Sequence, residues 1–245
     1  MTPIYTNLQA VRQRIFAACL EVRRAPESVS LIAVSKTWPA EAVCAAVAAG
    51  QRCFGENYIQ EGVRKQGELA AIPEISETAL EWHFIGPVQG NKTRLVAEHF
   101  DWAHSIDRLK IAERLARQRP PELPPLNVCI EVNIDGEADK HGCRPAELAA
   151  LAHEIARLPR LRLRGLMCIP APVSGREAQR APFRRLRELK EALCADGLPL
   201  DTLSMGMSHD LEAAIAEGAT LVRVGTAIFG ERAKSAARDP SIQGA

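Results

Sequence analysis

Short apolar runs and longer stripes of period near 3.6 take turns along this chain. Residues 4–24 place Leu8, Val11, Ile15, Ala18 and Val22 at spacings of three and four, which predicts an amphipathic helix ahead of everything else. Leu31 to Val34 is apolar and partly β-branched, the mark of a strand covered on both faces; it predicts strand 31–35, with Trp38-Pro39 opening a helix over 39–49 that Gly50 stops. The same exchange then repeats. Cys53-Phe54 reads as a strand before a helix to Ala70, and residues 71–80 as a surface connection. Trp82 to Ile85 is a third strand, with helix 91–99 after it. Trp102 to Ser105 is a fourth, with Asp107 as N-cap of helix 108–118. A long fifth strand, Leu126 to Ile134, follows a proline-rich αβ loop and runs into a mobile polar loop over 135–143, after which Pro145 opens helix 145–157. Leu161 to Ile169 is the sixth, before helix 176–195. Thr202 to Ser204 and Leu221 to Val224 are the seventh and eighth, separated by helix 209–217.

About eight strand–helix alternations without a long linker call for a parallel sheet covered by helices, and that number closes into a barrel better than it spreads into an open sheet. The expected class is therefore α/β, a (β/α)8 TIM barrel with an extra N-terminal helix. It forms one domain over residues 1–232, with a flexible C-terminal tail over 233–245. Reactive groups should then lie on the loops that follow the strands.

Composition narrows the partners. The 245 residues carry 31 basic and 30 acidic side chains, a net charge of +1, so no global field draws nucleic acid or an anionic membrane. Helix 176–195 is rich in arginine, but Glu177, Glu188 and Glu191 interleave and no aromatic platform accompanies them. The 7 cysteines are scattered, odd in number and without a C-x-x-C, against both a disulfide framework and a zinc site. Acidic residues from Asp135 onward imitate a calcium loop, yet Lys140 and Ala146 stand where that loop needs glycine and glutamate. No leader and no run of 18 apolar residues is present, so a cytoplasmic protein, off the membrane and monomeric, is expected.

Candidate chemistry gathers at the strand ends. Lys36 closes the first strand, where desolvation can lower an amine pKa from about 10.4 toward roughly 7–8 and make it a nucleophile for carbonyl compounds. After strand seven, Gly206 and Ser208 make an anion-ready turn, with Ser208 expected to N-cap helix 209–217; Gly225 and Thr226 repeat the theme after strand eight. Arg223, between Val222 and Val224, points into the barrel if the valines face the helices, and needs either a ligand or a carboxylate such as Glu56 or Glu131. Asn57 and His83 are placed to touch a ligand or to serve the fold. A nucleophilic lysine, a phosphate cradle and an inward arginine together describe a pyridoxal 5′-phosphate site. An arginine facing the pyridine nitrogen would leave it unprotonated, which favours holding the cofactor over carbanion chemistry.

On these motifs the chain resembles the pyridoxal phosphate homeostasis proteins (the YggS/PROSC type), relatives of the alanine racemase barrel domain. The resemblance runs through Ala33-Val34-Ser35-Lys36, Phe54-Gly55-Glu56-Asn57-Tyr58, Trp82-His83-Phe84-Ile85-Gly86, Asn91-Lys92, Gly165-Leu166-Met167, Ser204-Met205-Gly206-Met207-Ser208 and Val222-Arg223-Val224-Gly225-Thr226. It implies a Schiff base on Lys36, phosphate contacts from the Met207 backbone, Ser208, Gly225 and Thr226, a ring-nitrogen contact from Arg223, and Asn57 near the ring. It also implies a non-catalytic part in vitamin B6 homeostasis, with pyridoxal phosphate-dependent apo-enzymes as recipients. Trp38 and His209 depart from the family's usual residues, at positions expected to lie outside those contacts. The rival reading is an amino-acid racemase. Racemisation on this scaffold takes a tyrosine from a separate domain of a partner subunit, whereas this chain has 2 tyrosines, Tyr5 and Tyr58, and about twenty residues after strand eight.

Overall fold

The computed structural model describes residues 2–137 and 140–231. Helix α1 (Pro3–Glu21) comes first, capped by the Thr2 hydroxyl, and buries Leu8, Val11, Ile15 and Ala18 as its stripe requires. The barrel then alternates: β1 (Ser30–Val34), α2 (Ala40–Ala48), β2 (Cys53–Glu56), α3 (Ile59–Ala70), α4 (Pro73–Ser76), β3 (Glu81–Phe84), α5 (Thr93–His99), β4 (Trp102–Ile106) and α6 (Leu109–Gln118). The second half is β5 (Leu126–Glu131), α7 (Leu148–Ala156), β6 (Leu161–Met167), α8 (Arg176–Ala195), β7 (Thr202–Ser204), α9 (Leu211–Ala216), β8 (Leu221–Val224) and α10 (Thr226–Phe229). All eight strands are parallel and in sequence order, and β8 returns to β1 in the register Ser30↔Leu221 to Ala33↔Val224. The expected barrel and its leading helix are present. The expected tail, 233–245, lies outside the described residues.

Two apolar regions hold it together. The larger fills the space between strands and helices, with Ala33, Phe54, Phe84, Val128, Leu166, Val222 and Val224 facing outward onto it. The smaller, Ile32, Trp102, Cys129, Met167 and Leu221, lies inside the barrel. This parity sends Arg223 inward, as its flanking valines predicted. Among the described residues no helix is long and apolar enough to cross a membrane.

Four local expectations are corrected. β5 ends at Glu131 rather than at residue 134, because Val132 bridges to Cys143 and Asn133 N–H donates to the Cys143 carbonyl at 2.9 Å: the polar loop folds back onto the end of the strand. Helix 145–157 opens as a 3-10 turn, Pro145–Glu147, before α7. α6 takes Arg108 rather than Asp107 at its N-cap position. α9 starts at Leu211 with Asp210 in the cap position, so Ser208 caps nothing.

Candidate functional site

Because the strands are parallel, their carboxyl ends share one face, and there six of them surround a cavity of about 200 Å³. Its lining includes Lys36, Asn57, Met207, Ser208, Arg223, Gly225 and Thr226, together with Val34, Ile85, Ile169 and His209. Seven of the eight residues singled out in the sequence thus meet in one place. Their separations in the chain reach from residue 36 to residue 226, so only barrel closure brings them together.

Lys36 lies two residues past the end of β1, in the turn that follows rather than closing the strand, and is partly buried. The Asn57 Oδ1 atom is buried without a hydrogen-bond partner among the described residues, an acceptor waiting for a donor. On the opposite side the turn after β7 is shaped by Gly206: its φ of +93° lies in the left-handed region, and a Cβ there would meet the Ala214 Cβ at 2.6 Å. Gly225 lets the β8 end press on β1, where a Cβ would come 3.1 Å from the Val34 carbonyl oxygen. The Met207 N–H, expected to face an anion, donates instead to Asp210 Oδ1 at 2.6 Å. Burial raises the Asp210 carboxyl pKa, and that Met207 contact and the Arg223 field oppose the shift. His209, expected to stand clear, is part of the lining. Trp38 does stand clear, stacked on Phe229 with ring centroids 5.9 Å apart.

Arg223 is 4% exposed and takes neither of the carboxylates anticipated for it. Its guanidinium donates to Ser204 Oγ at 2.7 Å and to the Cys168 carbonyl at 3.0 Å, which leaves N–H groups of the fork for the cavity it lines. Burial lowers its pKa, opposed by Cys168, Asp210 and Glu131. Behind it a polar chain runs down the barrel interior. Ser204 Oγ lies 2.8 Å from His104 Nδ1, His104 Nε2 lies 2.9 Å from His83 Nδ1, and His83 Nε2 lies 2.7 Å from Glu81 Oε1. The two ends dictate the protons. His83 lowers the Glu81 pKa, so an ionised carboxylate accepts from His83 Nε2–H, while Arg223 can only donate to Ser204. Burial drives the His104 pKa well below its usual value, so this ring is neutral. With the His104 proton on Nε2, directed at His83 Nδ1, its Nδ1 accepts from the Ser204 hydroxyl, and Arg223, Ser204, His104, His83 and Glu81 form one donor-to-acceptor sequence.

That sequence corrects the reading of His83. Strand parity turned it inward, but it lies two residues before Ile85, the residue just past β3 that lines the cavity; it is fully buried, with both ring nitrogens engaged. It acts on Arg223 through two intervening side chains and does not reach the cavity. Near the same level Cys53, Glu81 and His83 bring possible metal-ligand atoms within 4.8 Å of one another, a trio that cysteine spacing did not reveal. Burial, and then Glu81, push the Cys53 thiol up to about 11, so it stays protonated at neutral pH.

A second cavity of about 220 Å³ adjoins the first through Ile169 and is lined by Glu131, Asn133, Lys140 and His141. Lys140 stands beside the barrel mouth, as its place after β5 suggested, and pairs with Asp135 at 2.6 Å and Glu137 at 3.1 Å.

Comparison with known proteins first gives a class. The family model described as "Alanine racemase, N-terminal domain" matches residues 7–233, so the chain is a barrel of that class. Relatives then narrow it. The pyridoxal phosphate homeostasis protein of Pseudomonas aeruginosa is 60% identical over 232 residues, covering 95% of this chain and 97% of the relative. That of Escherichia coli K12 is 56% identical, covering 95% and 98%. The structure of PipY from Synechococcus elongatus PCC7942 with PLP bound is 39% identical and superposes with a TM-score of 0.79, covering 93% of this chain and 100% of that one. The chain belongs to the pyridoxal phosphate homeostasis protein family.

Proposed function

We propose that this protein binds pyridoxal 5′-phosphate with Lys36 as the point of covalent attachment, and that it keeps and supplies the cofactor in the cytoplasm, as a monomer, without catalytic turnover. The observation that carries the reading is the meeting of Lys36, Arg223 and the hydroxyl-bearing ends of β7 and β8 on one cavity of about 200 Å³. That volume is below the roughly 300–1,000 Å³ of drug-sized pockets and suits a ligand with one aromatic ring. The residues fit the group. Asn57 Oδ1 is a buried acceptor that a ring hydroxyl would satisfy, and the Arg223 fork is a donor for a ring nitrogen. Ser208 and Thr226 offer hydroxyls to a phosphate, while the Met207 N–H would have to leave Asp210 to join them.

When bound, the cofactor supplies an aldehyde that a primary amine takes up with loss of water. Arg223 keeps its own proton, so a ring nitrogen held by it would stay neutral and would withdraw electrons weakly. The polar chain behind Arg223 fixes the fork in place and ends on Glu81, far from the cavity. Such a site retains its ligand and gives little help to bond cleavage. For racemisation Tyr58 offers no support: it is 55% exposed and lines a different cavity from Lys36.

The test is direct. Purified protein given pyridoxal phosphate should turn yellow, Lys36→Ala should remove the colour, and neither enantiomer of an amino acid should lose optical rotation. A yellow Lys36→Ala protein, or racemisation by the wild type, would refute the reading.

A further inference from the structure

Both peptide groups that flank Lys36 are gripped from α3. The Ser35 carbonyl, part of the peptide before Lys36, accepts from Lys65 Nζ at 2.8 Å. The Thr37 N–H, part of the peptide after Lys36, donates to Glu61 Oε1 at 2.5 Å. Lys65 and Glu61 are themselves joined, one helical turn apart, at 3.1 Å. The third donor of the ammonium goes to Glu56 Oε1 at 2.5 Å, and that oxygen also accepts from Ser35 Oγ at 2.7 Å. Every proton of the Lys65 amine is therefore committed, and each of its three partners bears on residue 35 or 37.

This arrangement is costly to build. Lys65 is 0% exposed and occupies the apolar stripe of α3 with Ile59, Gly62 and Leu69, where a methionine or leucine would pack without desolvating a charge. Glu56 is buried too, with Oε2 left without a partner among the described residues. Thr37 has a φ of +68°, an uncommon conformation for a β-branched residue that persists only where its surroundings hold it. A lysine serving only to neutralise Glu56 would need none of the contacts to the chain around Lys36.

We propose that Lys65, with Glu61 as its partner, is the positioning residue for Lys36: together they fix the backbone on both sides of it, so that its amine leaves the end of β1 toward the cavity. The inference rests on the cofactor reading above, and its test separates the two. Pyridoxine 5′-phosphate, which has an alcohol where the cofactor has its aldehyde, reports the non-covalent site by calorimetry. The rate of colour development with pyridoxal 5′-phosphate, checked by the fraction fixed with borohydride, reports attachment. Lys65→Met should bind pyridoxine 5′-phosphate as the wild type does, yet attach pyridoxal 5′-phosphate about 10- to 100-fold more slowly, the penalty for a misplaced reacting group. Glu61→Ala removes the grip on Thr37 while leaving the buried Lys65–Glu56 pair intact, and should slow attachment in the same selective way even if Lys65→Met does not fold. Unchanged attachment in Glu61→Ala, or an equal loss of attachment and pyridoxine 5′-phosphate affinity, overturns the positioning role. A wild type that takes up neither compound overturns the cofactor reading, and this inference with it.

Discussion

Gly165→Ala will lose more stability than any other single methyl added to this barrel. Gly165 lies in β6 and pairs with Thr202 of β7 and Cys129 of β5. A Cβ at residue 165 would stand 1.8 Å from the Thr202 carbonyl oxygen, 2.7 Å from its carbon and 3.0 Å from its Cα, all backbone atoms that no rotamer change can move. The seam must open or β7 must shift. β7 carries Ser204 and leads into Gly206, and the chain after β6 supplies the Cys168 carbonyl to Arg223, so the damage spreads to the cavity. The expected loss is about 4 kcal/mol or more, out of the roughly 5–15 kcal/mol that typically holds a domain together. Gly67→Ala is the control: it is exposed within α3 with nothing within 4 Å of a new Cβ, and should gain about 0.5–1 kcal/mol from helix propensity. Urea unfolding followed by circular dichroism measures both. A Gly165→Ala midpoint equal to that of the wild type would contradict the β6–β7 register.

Arg223→Gln will have the largest effect on the ligand without removing the attachment point. Hydrogen bonds to charged groups contribute about 1.5–3 kcal/mol, so affinity for pyridoxal phosphate should fall roughly 10- to 100-fold. The absorption band of the attached cofactor should shift, because a neutral amide replaces the cation facing its ring nitrogen. Attachment to Lys36 should persist. Ser204 and the Cys168 carbonyl also lose their donor, which unfastens the upper end of the chain through His104 and His83 to Glu81. Equilibrium dialysis with absorbance readout separates the effects. An unchanged spectrum and affinity would mean that the guanidinium faces no part of the ring.

The architecture was legible because short apolar runs and stripes of period near 3.6 take turns along the chain, and parity alone aimed Arg223 inward between two valines. Depth was not legible. The same parity turned His83 inward, but nothing in a strand's alternation says which layer of the barrel a side chain reaches, and His83 sits below the cavity. Val132 and Ile134 are apolar and buried like a strand, yet the Asn133 N–H between them finds its partner in the returning loop at Cys143, a tertiary choice that composition does not record. Ser208 lost the cap position to Asp210, two residues on, whose carboxylate also takes the Met207 N–H. His209 entered the cavity lining because that turn precedes α9 instead of forming its first residues. Lys65 did leave a sign. A lysine at the buried position of the stripe Ile59, Gly62 and Leu69 breaks the helical pattern, and such a break marks a charge with a specific partner.

Borohydride reduction of the protein loaded with pyridoxal phosphate, followed by proteolysis and mass mapping, puts the central claim to its plainest trial. The label should be found on the peptide containing Lys36 and on no other. A label on Lys140 or Lys92 with Lys36 unmodified would mean that the cavity bounded by β1, β7 and β8 is not where the cofactor is held.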